Sequence, residues 1–432
     1  MRIKEIKIEK LFGMFNHSIK LNLEEHLTII YGINGIGKTM LFKILDNFFH
    51  KNFHKLIESP FEKLTIVYKD NSYFELFNEK AETLNIGYYD ENDIRKINLS
   101  FDNIFFKNYK EKILKELRFR ISEISENEFM LRETEEIIDY KELLERFSHL
   151  VVESIAINES LEEILSLTQL HFIPTQRLIN FTYKIDNSSP HSRRELQSIK
   201  KETIKDCSNE LAKIIETKHK EYSNLSEELE LSLGKRLMDK EVQTISDIQE
   251  LKQEDNKLEA ERKKFKSVGL FENVKEENFI IPDNIDELKK AVLSVNIQNM
   301  KIKLKIFDEL YEKLNIFLDI LNNKRLSYKQ ISIHHKKGFI FTNDNGDILS
   351  ETDLSSGEQN EIVMLYELLF KVNENSLVLI DEPEISLHIV WQKEFLKDMK
   401  DILEIKKFDI LIATHSPSII DGNWDLTVKL EK

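Results

Sequence analysis

A chain of 432 residues is long enough for two or three domains with substantial cores, and six prolines, eleven glycines and 32% charged residues suit a helix-rich protein. The formal charge of -15 argues against a broad nucleic-acid-coating surface, so any DNA contact must be local or borrowed from a partner. A single cysteine, Cys207, excludes an intramolecular disulfide, and no apolar run reaches the length of a membrane helix.

The amino terminus, Met1 to Ile8, alternates like a strand where a secretory leader would run apolar, and a soluble cytoplasmic protein with no membrane partner is expected. Arg2 to Ile8, Ile19 to Leu21, Leu27 to Tyr31, Leu64 to Lys69, Tyr73 to Phe77 and Leu84 to Tyr88 read as strands of a β-rich layer. Within it, Gly32-Ile33-Asn34-Gly35-Ile36-Gly37-Lys38-Thr39 follows a strand and precedes the helical run Met40 to Leu45. That is the context of a phosphate-binding loop: glycines free the backbone amides to curl around phosphates, and the helix amino end adds positive potential. Lys38 would meet the β/γ phosphates and Thr39 a Mg²⁺ ion, which makes ATP and Mg²⁺ the expected cofactors.

From Tyr88 to Ile173 there is no glycine or proline, and we expect a helical insertion at about 89–170 within an amino-terminal lobe of 1–190. Lys107, Lys110, Lys112, Lys115, Arg118 and Arg120 are spread along it, as a solvated helix face or, alternatively, a patch for nucleic acid or an acidic partner. Ile204, Cys207, Leu211, Ile214, Tyr222, Leu225 and Leu229 then follow 3-4 spacing, which places Cys207 in a core stripe and not at a reactive surface. Ile285 to Val295 and Phe307 to Leu321 repeat the pattern, giving a helical arm over 191–325. Strands return at Gln330 to His334 and Phe339 to Thr342, opening a carboxy-terminal lobe over 326–432.

In that lobe Leu354-Ser355-Ser356-Gly357-Glu358-Gln359 precedes the helical run Ile362 to Phe370, and both Ser355 with Glu358 and Ser356 with Gln359 fit a capping box. Ser376 to Asp381 reads as a buried parallel strand that ends in Asp381 and Glu382, where an open α/β sheet presents its ligands. An aspartate there can hold Mg²⁺ and the adjacent glutamate can deprotonate an attacking water. A second strand, Phe408 to Thr414, delivers His415, which could hydrogen-bond a γ-phosphate.

With these residues in order, the chain resembles the ATP-binding cassette (ABC) ATPases, in the branch of SMC, RecF and OLD-type proteins. Leu354 to Glu358 looks like the family's signature, with Ser356 where glycine is commoner; Asp381 and Glu382 look like its Walker B pair, Glu384 to His388 its D-loop, and His415 its switch histidine. Pro174-Thr175-Gln176 is similar to the Q-loop, so Gln176 is implied as a sensor of Mg²⁺ and the lytic water. The implied fold is α/β, an ABC-ATPase head with a mixed β layer and a parallel core sheet, carrying an inserted α-helical coiled-coil arm too short for a long tether. His388 departs from the aspartate of transporter D-loops. In this family the signature of one protomer, here Ser355 and Gly357, completes another's phosphate site in a head-to-tail dimer, and higher order up to a hexamer stays open.

Pro383 to His388, Ala413 to Ile420 and Trp424 to Val428 look especially like ATPase subunits of anti-phage systems of the Septu, retron-associated and PARIS kinds. That resemblance implies a separate effector, a nuclease, together with a phage trigger protein. Only seventeen residues follow His415, so the TOPRIM nuclease domain of OLD proteins is not expected. A DNA-repair or DNA-organising ATPase is the alternative, and a transporter subunit a third; the residues alone separate ATPase from non-ATPase but not these three.

Overall fold

Period-two burial lays down the first layer of the chain. In this computed structural model, residues 1–79, 82–102, 114–115, 117–118, 121–125, 128–132, 136–139, 143, 159–176, 179–185, 196–238, 247–271 and 281–431 are described. They fall into two units, Met1–Glu202 with Lys371–Lys432, and Thr203–Phe370. The first opens with strands Ile3–Leu11 (β1) and Phe15–Lys20 (β2), then Leu27–Tyr31 (β3), helices Lys38–Phe49 (α1) and Phe53–Ile57 (α2), and strands Lys63–Tyr68 (β4), Tyr73–Glu79 (β5), Thr83–Tyr89 (β6) and Arg95–Asp102 (β7). An antiparallel sheet runs in the order β2-β1-β4-β5-β6-β7, with Ile6 opposite Ile66 and Phe74 opposite Tyr88, so that one face is largely apolar.

Strands Ile121–Ser125 (β8), Glu128–Leu131 (β9) and Glu136–Asp139 (β10) make a small sheet, followed by helix Glu159–Ser166 (α3), Leu170–Ile173 (β11), and a hairpin of Ile179–Ile185 (β12) and Leu196–Glu202 (β13). The helical reading of 89–170 is therefore corrected: over the described residues it is mostly strand. Freedom from glycine and proline removes helix breakers but does not impose a helical period, and Ile97 and Phe101 are buried on β7 at a period of two. Lys107, Lys110, Lys112 and Arg120 of the basic series lie outside the described residues, as does the expected start of the arm near residue 191.

The second unit holds helices Thr203–Met238 (α4), Ile248–Ser267 (α5), Glu287–Leu304 (α6) and Asp308–Ile320 (α7), strands Lys329–His334 (β14), Gly338–Asn343 (β15) and Ile348–Leu349 (β16), and helix Ser356–Tyr366 (α8). The 36 residues of α4 span about 54 Å. Ile204, Cys207, Leu211 and Ile215 are buried along it, and α4 packs on α6 while Phe317 of α7 stacks on Phe339 of β15 at 5.5 Å. The β14–β15 turn is pinned to α4: Phe339 N donates to Ser208 Oγ at 2.8 Å, and Gly338, at φ +73, has Ser208 O only 2.1 Å from where a Cβ would sit. This unit continues to Phe370, so residues 326–370 group with the arm and not with the rest of the carboxy-terminal lobe.

The first unit closes with Leu377–Asp381 (β17), Ile389–Ile405 (α9), Asp409–Thr414 (β18), Pro417–Ile420 (α10) and Thr427–Lys429 (β19). β11-β17-β18-β3-β19 form an all-parallel sheet whose strands β17 and β18 are buried at every residue. Helix α1 lies between the two large sheets, Phe48 meeting Phe74 of β5 at 5.1 Å and Phe42 meeting Phe172 of β11 at 6.1 Å. The fold is α/β, a parallel core sheet with a helical arm inserted in the chain, and no described helix is long and apolar enough to cross a membrane.

Candidate functional site

The carboxyl ends of β3, β17 and β18 lie side by side, and each delivers chemistry. Beyond β3 the loop from Gly32 to Gly37 turns into α1 with Gly35 at φ +82 and Gly37 at φ +101. A Cβ on Gly37 would sit 2.2 Å from Leu11 Cδ2 in the core, so both angle and space demand glycine there. Gly32 approaches the Leu430 carbonyl, and Asn34 stands exposed at the loop crest. No side chain caps α1 and its first turn carries no acid, which leaves its amino-terminal amides for an anion. His17, buried on β2, bonds the Ile36 carbonyl at 3.0 Å and holds the loop from beneath.

Lys38 is folded over this loop. Its Nζ donates to the Gly32 carbonyl at 3.0 Å and lies 2.7 Å from Nε2 of His415, which is 3.1 Å from Oε1 of Glu382. Burial pulls the Lys38 pKa down, against the upward pull of Glu382, Glu384 and Asp381. Thr39 Oγ1 donates to Asp381 Oδ1 at 3.1 Å, and Thr175 Oγ1 donates to Asp381 Oδ2 at 3.1 Å. Asp381 is buried, and burial pushes its pKa up while the two hydroxyls pull it back. A buried carboxylate with only hydroxyl donors, beside a lysine and an uncapped helix end, is a donor set that suits a hydrated Mg²⁺ carrying a phosphate.

Glu382 adopts φ 44, a left-handed conformation uncommon outside glycine, which turns its carboxylate off the end of β17 toward His415. Two residues on, Glu384 ties down the switch segment: Oε1 accepts from Thr414 Oγ1 at 2.8 Å, His415 N at 2.6 Å and Ser416 N at 3.1 Å. Its other oxygen is buried without a hydrogen-bond partner among the described residues. His388 caps α9 by accepting from Val390 N.

The structure thus brings together Gly32, Gly35, Gly37, Lys38, Thr39, Asp381, Glu382 and His415 in the first unit. Gln176 lies exposed just past Thr175 and makes no hydrogen bond to a described residue. Ser355 and Gly357 belong to the second unit. There Ser355 caps α8 in a full capping box with Glu358, its Oγ accepting from Glu358 N at 3.2 Å while its own N–H donates to Glu358 Oε2 at 2.7 Å. The alternative box of Ser356 with Gln359 does not form; Gln359 donates to the carbonyls of Glu351 and Leu354. Sequence reasoning placed Glu384 and Thr175 in motifs without giving either a contact of its own and did not single out His17; each is identified by a contact with a residue distant in the chain.

Comparison with known proteins agrees with an ATPase. A stretch of 67 residues, 16% of the chain, is 39% identical to Protein ea59 of Escherichia phage lambda and takes in 13% of that protein's length. The Smc head domain of Pyrococcus furiosus, solved with an extended coiled coil and bound to the C-terminal domain of ScpA, aligns over 97% of this chain and 91% of its own at 11% identity, with a TM-score of 0.34. An Smc head bound to the C-winged helix domain of ScpA aligns over 98% and 92% at 10% identity, also with a TM-score of 0.34. Both are loose likenesses. The AAA ATPase domain family matches residues 1–420, and this chain belongs to that family.

Proposed function

We propose that this chain is an SMC/RecF-like ABC ATPase that binds ATP with Mg²⁺, pairs head to tail with a second copy, and hydrolyses slowly to control assembly, release or activation of a separate effector, a nuclease of anti-phage defence. The observation that carries the reading is the meeting of Lys38, Glu382 and His415 at one sheet edge, with Thr39 against Asp381. Thr39, Asp381 and Gln176 are the residues to hold Mg²⁺, which when bound supplies charge neutralisation at the phosphate oxygens. Lys38 and the amides of Gly35 and Gly37 clamp the β and γ phosphates, with Asn34 at the rim. Glu382 takes the proton of the attacking water, and His415 orients the γ-phosphate from across the Glu382 carboxylate.

Ser355 and Gly357 act on a second copy's nucleotide. Ile385, Ile389 and Val390, exposed by 63%, 62% and 61% beside Glu382, suit burial on such pairing. The defence reading rests on the wording of Pro383 to His388 and Ala413 to Ile420. The test mixes Lys38→Ala with Ser355→Arg subunits: hydrolysis should return, because each mixed pair holds one intact composite site. No return, with both variants folded and associated, contradicts shared sites. Co-purification of a nuclease encoded beside this chain supports the defence reading, whereas strong salt-dependent DNA binding without such a partner favours a DNA-organising ATPase.

A further inference from the structure

The second unit carries a cavity of about 1110 Å³ between α4, the end of α5 and the β14–β15 turn, unrelated to the phosphate loop. In a chain of net charge -15, its lining among the described residues is cationic: Lys213, Arg262, Lys266 and Lys336 against one carboxylate, Glu216. That carboxylate is engaged elsewhere, by Lys220 one helical turn on at 2.8 Å. Lys213 and Lys336 are exposed, and their ammonium groups have no ion-pair partner among the described residues. The field at the cavity wall is therefore positive on the side of Lys213 and Lys336.

The floor is aromatic. Tyr222 and Phe271 line it, and both rest on the buried ring of Phe307, at 5.8 Å and 4.9 Å, which fixes their orientation. His219 Nε2 donates to the Leu270 carbonyl at 2.8 Å, which holds the ring at the cavity wall. Fixed aromatic surface beside unpaired lysines matches a flat heteroaromatic ring bearing a phosphate, which would stack on the first and pair with the second. An acidic peptide would use the lysines and leave the rings bare; inorganic phosphate would do the same.

We infer that this cavity is a second nucleotide site, one that takes the base and phosphate of a nucleotide, whether free or within a single strand. The probes are thymidine 5′-monophosphate and a ten-residue oligothymidylate, titrated calorimetrically against the full chain. Monophosphate should bind, and Lys213→Glu with Lys336→Glu should weaken it at least tenfold. Lys38→Ala should leave it unchanged, since that variant disables only the phosphate loop. Both lysines are exposed, so the double variant should melt as the wild type does; if it does not, Lys213→Gln with Lys336→Gln replaces it with the same expectation. Tyr222→Leu should weaken the monophosphate but not inorganic phosphate. Tighter binding of the oligothymidylate with the same lysine dependence identifies a strand as the ligand, and equal binding identifies the free nucleotide. The inference is overturned if the monophosphate does not bind, if Lys38→Ala alone abolishes its binding, or if thymidine, inorganic phosphate or a polyglutamate peptide binds equally well.

Discussion

Removing the Glu384 side chain should uncouple ATP binding from hydrolysis. One carboxylate oxygen receives the Thr414 hydroxyl and the His415 and Ser416 amides, and so holds the backbone on which His415 stands. In Glu384→Ala the Ser416 amide keeps Thr414 Oγ1 at 2.9 Å, and the exposed His415 amide can turn to water. The buried Thr414 hydroxyl and the lost charge assistance remain, and at about 1–3 kcal/mol for each buried group left unsatisfied the switch segment loses about 2–4 kcal/mol of positioning. If that positioning is needed only in the transition state, turnover falls roughly 30- to 1000-fold at about 1.4 kcal/mol per factor of ten. Glu384→Gln keeps an acceptor oxygen at about half the bond strength and should lose roughly tenfold. Phosphate release gives the turnover and a fluorescent ATP analogue gives the affinity, which should change less than about threefold. Wild-type turnover in Glu384→Ala, or affinity falling in step with turnover, would refute the reasoning.

Gly37→Ala should destabilise the first unit by about 1–3 kcal/mol in a urea titration and weaken ATP binding, because φ +101 is strained for alanine and its Cβ would enter Leu11. Glu361→Ala should cost about 3–5 kcal/mol, since it leaves Arg325 charged in a site where both side chains are 1% exposed. Burial raises the Glu358 carboxyl, but bonds from Lys329 and Ser355 outweigh it and hold the pKa below the ordinary 4.5. A depressed carboxyl stabilises the fold above its unfolded value and loses that as pH falls through the folded one. Glu358→Gln should therefore melt lower than wild type at neutral pH, with the gap closing below pH 4.5; a gap that does not change with pH would contradict the linkage.

The parallel strands were legible because burial on both faces leaves a continuous apolar run, as in Leu27 to Tyr31, which is β3 residue for residue. The stripe Ile204, Cys207, Leu211 likewise marks α4, and Cys207 is buried as its place in the stripe requires. The region after Tyr89 was misread because missing breakers were taken as a helical signal, although Ile97, Leu99 and Phe101 alternate. The hairpin of β12 and β13 was missed although Ile179, Phe181, Tyr183 and Ile185 alternate along β12; β13 gives no such pattern, with Leu196 and Ile199 out of period two and Lys200 and Lys201 after them. In the site, motif residues were visible because spacing along the chain carries them. Glu384, Thr175 and His17 act through partners 30, 206 and 19 residues away, a relation only the folded sheet edge creates.

The central claim is that Glu382 is the base and Lys38 the phosphate clamp of an ATP hydrolase, and side-by-side ATP binding and phosphate release by Glu382→Gln and Lys38→Ala test it most directly. Glu382→Gln should bind ATP as tightly as wild type and lose about 100-fold or more of its turnover, the span of a general base, while Lys38→Ala should lose binding itself. Wild-type turnover by Glu382→Gln, or undiminished ATP affinity in Lys38→Ala, would contradict the account.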